Sequence, residues 1–302
     1  MITLNTYSFA LRMGLLNNKQ KKWTFENFLN FCKNKKLKSI EFPIDYFSKL
    51  EKRNFEHYFK LLKSYNLDPV VALENFKIEY IKKLINISRK YDLKIIRIKM
   101  SNNFGGNRYK QKNFYILKKK FIKNLQKVKN IIKKTNLKIA IENHQDLSSH
   151  DLIKIIKDLR CKNLGLTWDI GNSLATCETP DQFFKNTKNY IFSAHCKNYK
   201  IILSNNGFFL KRAKIKDGSI NIKKYIKFFK KKNINISLEL AAHVNRHCDF
   251  YEKNFLKHHK ITENKLKDFN KYILKNSTND TPFTNWEIYR NIDLTSKNEL
   301  NE

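Results

Sequence analysis

Four short apolar runs in the second half of the chain each end on a side chain that can ligate a metal or move a proton. Residues 137–142 close on Glu142 and run through Asn143 to His144. Residues 164–169 close on Asp169, 191–195 on His195, and 236–239 on Glu239. A charged or imidazole group placed directly after a buried strand is costly unless it is paired or coordinated. Taken singly, such a carboxylate is more often a helix cap or an ion-pair partner. Four on successive strands point instead to one shared site. Three carboxylates and an imidazole suit a divalent ion such as Mn, Mg, Co or Zn, with water or substrate oxygens completing the shell. Glu142, Asp169, His195 and Glu239 are therefore the candidate metal ligands.

These residues need elements that bring their strand ends together. Strand-length β-branched runs occur at 2–9, 39–42, 69–73, 95–100, 138–142, 164–169, 191–197 and 235–240. Between them lie longer segments with helical apolar spacing, such as Phe25, Phe28, Leu29 and Cys32, or Leu152, Ile153, Ile155 and Ile156. Such alternation indicates βαβ units and a parallel sheet. Eight units in about 275 residues predict an α/β fold, a single-domain (β/α)8 TIM barrel over 1–275, with active-site residues at the carboxyl ends of its strands. A doubly wound open sheet is the alternative, but no GxGxxG or GxxxxGK[ST] follows any strand. Residues 276–302 read as a C-terminal tail that packs on the barrel through Trp286 or extends from it.

Composition narrows the class further. The 302 residues are 41% hydrophobic with 7 Gly and 4 Pro, which excludes a disordered or collagen-like chain. No run approaches the ~18 apolar residues of a membrane span. The first 20 residues lack a secretion-signal layout. Five scattered Cys without a CxxC pair predict reduced thiols and a cytoplasmic location. The net charge of +34 is mostly lysine at exposed helical spacing. An AT-rich codon supply explains much of it, and solvated helix faces are the simplest use. Arginine is scarce, so specific nucleic-acid binding is not expected, although polyanions would be attracted at low salt.

In order and spacing, Glu142, Asp169, His195 and Glu239 resemble the ligand series of the xylose-isomerase-like barrel superfamily. That superfamily holds sugar isomerases and epimerases, related dehydratases and endonuclease-IV-type repair enzymes. The strand at 165–169 resembles its "GlclD" strand, His195-x-Lys197 its "HxKD", and Asp217-Gly218-Ser219-Ile220 its "GxGxid". The resemblance covers nearly the whole barrel. It implies a divalent ion that chelates a substrate carbonyl and the neighbouring hydroxyl. Glu142 and Glu239 would then remove and return a proton through an enediolate. His144 and Lys197 would orient a substrate oxygen or relay a proton. Glu41, ending the second strand, would orient substrate or pair with a lysine. The implied reaction is isomerisation or epimerisation of a small ketose or sugar acid, and barrels of this kind often form homo-oligomers.

Two positions depart from the epimerase pattern. Asn172 stands where many members carry His, and Asn198 replaces the Asp of HxKD. With Glu142-Asn143-His144-Gln145-Asp146, Ser237-Leu-Glu239 and Arg246-His247, the set resembles the smaller 3-oxo-isoapionate decarboxylase group. There Asn172 would contact substrate, and Arg246 would bind a carboxylate or be an ordinary surface arginine. A repair endonuclease needs further His ligands, yet the first His is His57, in a helix-like segment. A non-catalytic barrel is the remaining reading. Gly105-Gly106 after the fourth strand predicts either a flexible loop over the mouth or a plain turn.

Overall fold

The computed structural model describes residues 2–15, 22–240 and 246–280. Its strands in chain order are β1 (Ile2–Asn5), β2 (Ser39–Pro43), β3 (Asp68–Leu73), β4 (Ile95–Ile98), β5 (Lys138–Glu142), β6 (Leu164–Asp169), β7 (Ile191–Cys196), β8 (Asn198–Ser204), β9 (Gly207–Ala213), β10 (Asn235–Leu238) and β11 (Arg246–Cys248). The helices are α1 (Phe25–Asn34), α2 (Ile44–Leu50), α3 (Phe55–Tyr65), α4 (Ile78–Ser88), α5 (Phe114–Ile132), α6 (Ser149–Leu159), α7 (Pro180–Thr187), α8 (Lys223–Lys231), α9 (Lys253–His259) and α10 (Glu263–Asn276).

Eight parallel strands close into a barrel in the order β1-β10-β7-β6-β5-β4-β3-β2. These are the eight runs read from the sequence, with β5 and β6 at the same limits. Closure joins Ile2, Thr3 and Leu4 to Ile236, Ser237 and Leu238. Capping boxes start α1 (Thr24 with Asn27), α6 (Ser148 with Asp151) and α7 (Thr179 with Gln182), which fixes where the chain leaves each strand. The helices pack their apolar faces on the outer side of the sheet. Trp168, fully buried on β6, lies stacked 5.9 Å from Phe183 of α7 and edge-on, 4.8 Å from Tyr225 of α8.

Strand alternation sends every second residue toward the axis. The inward residues form two polar layers. The lower holds Thr3, Ser39, Thr167, Ser193 and Asn235, joined by hydroxyl and amide bonds: Thr3 to Ser39 (2.9 Å) and Asn235 (2.6 Å), and Thr167 to Ser193 (2.7 Å). The upper holds Glu41, Arg97, Glu142, Asp169, His195 and Glu239, all buried.

One feature differs from eight plain βα units. Between β7 and α8, strands β8 and β9 form an antiparallel hairpin, to which β11 adds as a third strand. Of the segment read as a tail, residues 276–280 are described: the Thr278 amide bonds the Ile201 carbonyl (2.8 Å) and Asp280 pairs with Lys200 (2.7 Å). Trp286 lies outside the described residues. The Gly105-Gly106 segment is a tightly seated turn. Both glycines have positive φ (61° and 69°), and a Cβ would lie 2.1 Å from the His247 carbonyl at the first and 2.0 Å from the Ala175 carbonyl at the second.

Candidate metal centre

Each of β5, β6, β7 and β10 delivers one ligand type at the barrel mouth. Ligand atoms of Glu142, Asp169, His195 and Glu239 all lie within 4.8 Å of one another. Opposed ligands on a divalent ion stand about 4.2 Å apart at bond lengths of ~2.1 Å, so only slight closure would be needed. The orientation of His195 decides how the set can be used. Its Nε2 lies 3.0 Å from both Glu41 oxygens. Its Nδ1 faces the three carboxylates: 2.8 Å to Glu239, 3.8 Å to Glu142 and 3.9 Å to Asp169. A carboxylate that holds one imidazole nitrogen fixes the tautomer that offers the other to a cation. The donor set fits a divalent metal. Among the described residues Glu41 pairs with no lysine. Its oxygens are taken by His195 and by Arg97 Nε (2.8 Å).

Protein cations balance the remaining charge. Arg97 on β4 also bonds Glu142 (2.6 Å) and Glu74 (3.1 Å), and Lys99 pairs with Glu74. The Lys197 ammonium bridges Asp169 and Glu239, 2.5 Å from each. Burial lowers the Lys197 pKa, but Asp169 and Glu239 outweigh it and hold it above the ordinary value. Lys197 is thus held as an ammonium between the two carboxylates and orients them. Burial pushes Glu142 up despite Arg97. On Glu239 the same effect is outweighed by Lys197 and His195, which hold that carboxyl well below its usual range. Burial would lower His195, yet Glu41 and Glu239 hold it well above its ordinary value.

The other candidates sit around this centre. His144 packs 5.1 Å from the Phe104 ring. Burial, then Lys99 and Arg246, keep it neutral, with a pKa well below its ordinary value. Asn172 accepts from Gln145 Nε2 (2.8 Å) and from the Tyr199 hydroxyl (3.4 Å), and its amide reaches Asp169 Oδ1 (3.4 Å). Its Nδ2 is buried without a partner among the described residues. Arg246 lies over the Phe104 ring, 3.2 Å from its centroid. Asn198 stitches the segment read as "GxGxid" in place. It accepts from the Tyr199 and Ile220 amides and donates to the Ile215 and Ile220 carbonyls. A Cβ on Gly218 would strike its side chain at 2.1 Å. Sequence reading passed over Arg97, Lys99, Arg212 and Tyr199. The first two are charges at alternate positions on and just after β4.

A family model described as the xylose isomerase-like TIM barrel matches residues 50–254. The chain belongs to that family. Among solved structures, it is similar to one described as the probable 3-DHS dehydratase AsbF from Bacillus anthracis (TM-score 0.57, 14% identity, 89% of this chain and 98% of that one). The 3-keto-D-glucoside 4-epimerase YcjR of E. coli is also similar (0.55, 10%, 86% and 99%). So is an IOLI protein crystallised with a binding zinc atom (0.50, 12%, 92% and 99%). At these identities the likeness is one of fold. A curated relative, the uncharacterized protein YihM of Escherichia coli (strain K12), is 31% identical over 68 residues, 22% of this chain and 21% of that protein. Among the described residues no helix is long and apolar enough to cross a membrane.

Proposed function

We propose that this family member is a divalent-metal-dependent sugar isomerase or epimerase acting on a small ketose or sugar acid. One observation carries the reading: His195, with its Nε2 held by Glu41, turns its Nδ1 toward three carboxylates from three other strands at the barrel mouth. A divalent ion held by Glu142, Asp169, His195 and Glu239 would supply the positive charge that acidifies the C–H beside a substrate carbonyl. Glu142 and Glu239 stand three strands apart around an eight-strand ring, so they address a substrate from two sides. One takes the proton from carbon and the other returns one. Return to the opposite face of that carbon gives an epimer, and return to the neighbouring carbon gives an isomer. Arg97 holds Glu142, and Lys197 holds Asp169 and Glu239, so none of these carboxylates must reorganise during the proton transfer. The five cysteines are free and buried, in keeping with a cytoplasmic enzyme. No specific nucleic-acid partner is part of the proposal.

Metal analysis of the purified protein, alone and as Glu142→Gln and Glu239→Gln, tests it. The expected result is about one divalent ion per chain, diminished in the variants with circular dichroism unchanged. A screen of ketoses and keto sugar acids should then show exchange of a carbon-bound proton with solvent. Release of CO2 without exchange would select the decarboxylase chemistry. No binding after metal reconstitution would overturn the reading.

A further inference from the structure

The hairpin and β11 place two arginines beside the centre, and neither belongs to it. Arg246 pairs in register with Leu210, two residues before Arg212, and Tyr199 of β8 pairs with Arg212. All three therefore share one face of the small sheet. The Arg212 guanidinium lies 4.9 Å from the Tyr199 ring centroid and donates to the Glu239 carbonyl (3.1 Å), which puts this face against the mouth. Arg246 reaches the Tyr199 hydroxyl and is stacked on Phe104, whose other neighbour is His144.

What this group lacks is an anion in direct contact. Two other arginines, both buried, have carboxylate partners, Arg97 three of them and Arg108 the side chain of Asp151. Among the described residues neither Arg212 nor Arg246 is in an ion pair, and the two lie close enough to repel. Arg212 Nε, Arg246 Nε, Asn172 Nδ2 and His144 Nδ1 are all buried without a hydrogen-bond partner among the described residues. Two like charges, Arg212 buried and Arg246 half-buried, with no ion pair of their own and only the field of Glu239 acting on both, are costly to hold together. Only nine of the 61 basic residues are arginine. Two of the nine stand on this face, where a guanidinium fork can do what a lysine cannot.

We propose, building on the reading of the mouth as a sugar site, that the β8–β9–β11 sheet recognises the carboxylate of a sugar-acid substrate. Arg212 and Arg246 supply the fork donors. The Tyr199 hydroxyl and Asn172 Nδ2 bond the adjoining hydroxyls. The carboxylate end of the substrate lies on the sheet, and its carbonyl end lies between Glu142 and Glu239. A ketose without an acid group leaves both guanidiniums uncompensated and binds more weakly.

The test is calorimetric binding of three probes, D-gluconate, sorbitol and sorbitol 6-phosphate, at 150 mM salt, which suppresses the general attraction of a +34 chain for anions. Gluconate should bind roughly tenfold or more tightly than sorbitol, and Arg212→Gln or Arg246→Gln should each remove most of that margin. Arg246→Lys, which keeps the charge and loses the fork, should recover only part of it. Lys119→Gln, on the exposed side of α5, should change nothing. Circular dichroism and metal content should be unchanged in the arginine variants. Binding is read on metal-free and metal-loaded protein, so failure of the metal reading remains distinguishable from failure of this one. Equal binding of gluconate and sorbitol overturns the proposal, as does a gluconate margin that survives in both Gln variants. A preference for sorbitol 6-phosphate that depends on Arg246 overturns the carboxylate assignment in favour of a phosphoryl group.

Discussion

Two layers of the same barrel, one pleat apart, solve the problem of buried polarity in opposite ways. The lower layer uses hydroxyls and amides whose partners are one another, as in Thr3 with Ser39 and Asn235, or Thr167 with Ser193. The upper layer, about 7 Å further along the strands, uses full charges: Glu41, Glu142, Asp169 and Glu239 against Arg97, Lys197 and His195. The lower layer is saturated and has nothing to offer a ligand. The upper is held by ion pairs that an incoming cation or substrate can rearrange. Below the lower layer, at the amino ends of the strands, lies a cleft of about 780 Å³ lined by residues including Asp68, Arg89, Lys94 and Lys138. It has room but no converging ligand set. The candidate site at the mouth is therefore marked by the concentration of charge over a neutral support, and cavity size does not locate it.

Breaking the upper layer should have the largest effect. On whichever substrate the screen identifies, Glu142→Gln or Glu239→Gln should lower kcat/KM by about 10³-fold, with thermal stability nearly unchanged. Arg97→Met should instead unfold the site from within. It strips three buried carboxylates of a shared cation, and urea titration should show a loss of about 3–5 kcal/mol. Asp146, just outside the layer, sharpens the contrast. It is fully buried with Ser101 as a side-chain partner (2.5 Å), and burial pushes its carboxyl up to about 7. The folded chain thus holds a proton there that the unfolded chain releases near pH 4, so stability falls as pH rises from about 4 through 7. Asp146→Asn should raise the urea midpoint at pH 8 and leave it nearly unchanged at pH 4. The smallest effect belongs to the lower layer. Thr167→Val breaks one neutral bond, costs about 1 kcal/mol and should leave metal content and turnover as they were.

The barrel was legible because its strands are short β-branched runs with helical periodicity between them, a pattern that local chemistry imposes. The four ligand positions were legible because strand ends are where a barrel concentrates reactive groups. Arg97 was less visible. An arginine in Ile95–Ile98 reads locally as an interruption, and only the closed ring shows that it faces Glu41, Glu74 and Glu142. The hairpin did carry a local signal, Asn205-Asn206-Gly207 between apolar runs: the two asparagines make the turn, and Gly207, paired with Ser204, opens β9 at φ 149°. A regular count of eight units obscured it. The three residues of β11 have no signal of their own, and Arg212 bonds a backbone carbonyl that only tertiary structure brings near. Asn172 looked like a lost histidine. Its Gln145 partner gives it a place in the network that its identity alone does not disclose.

The small sheet draws its strands from two places in the chain, β8 and β9 before the last barrel strand and β11 after it. The last barrel strand itself pairs with the first, across more than 230 residues. During synthesis, then, the arginine-bearing face is among the last features to assemble, since it needs a segment that emerges after the one that shuts the ring. A nascent or C-terminally shortened chain can carry Glu142, Asp169, His195, Tyr199 and Arg212 and still lack Arg246 and the third strand of the small sheet. The order in which the chain is made thus keeps the complete small sheet from preceding an intact ring.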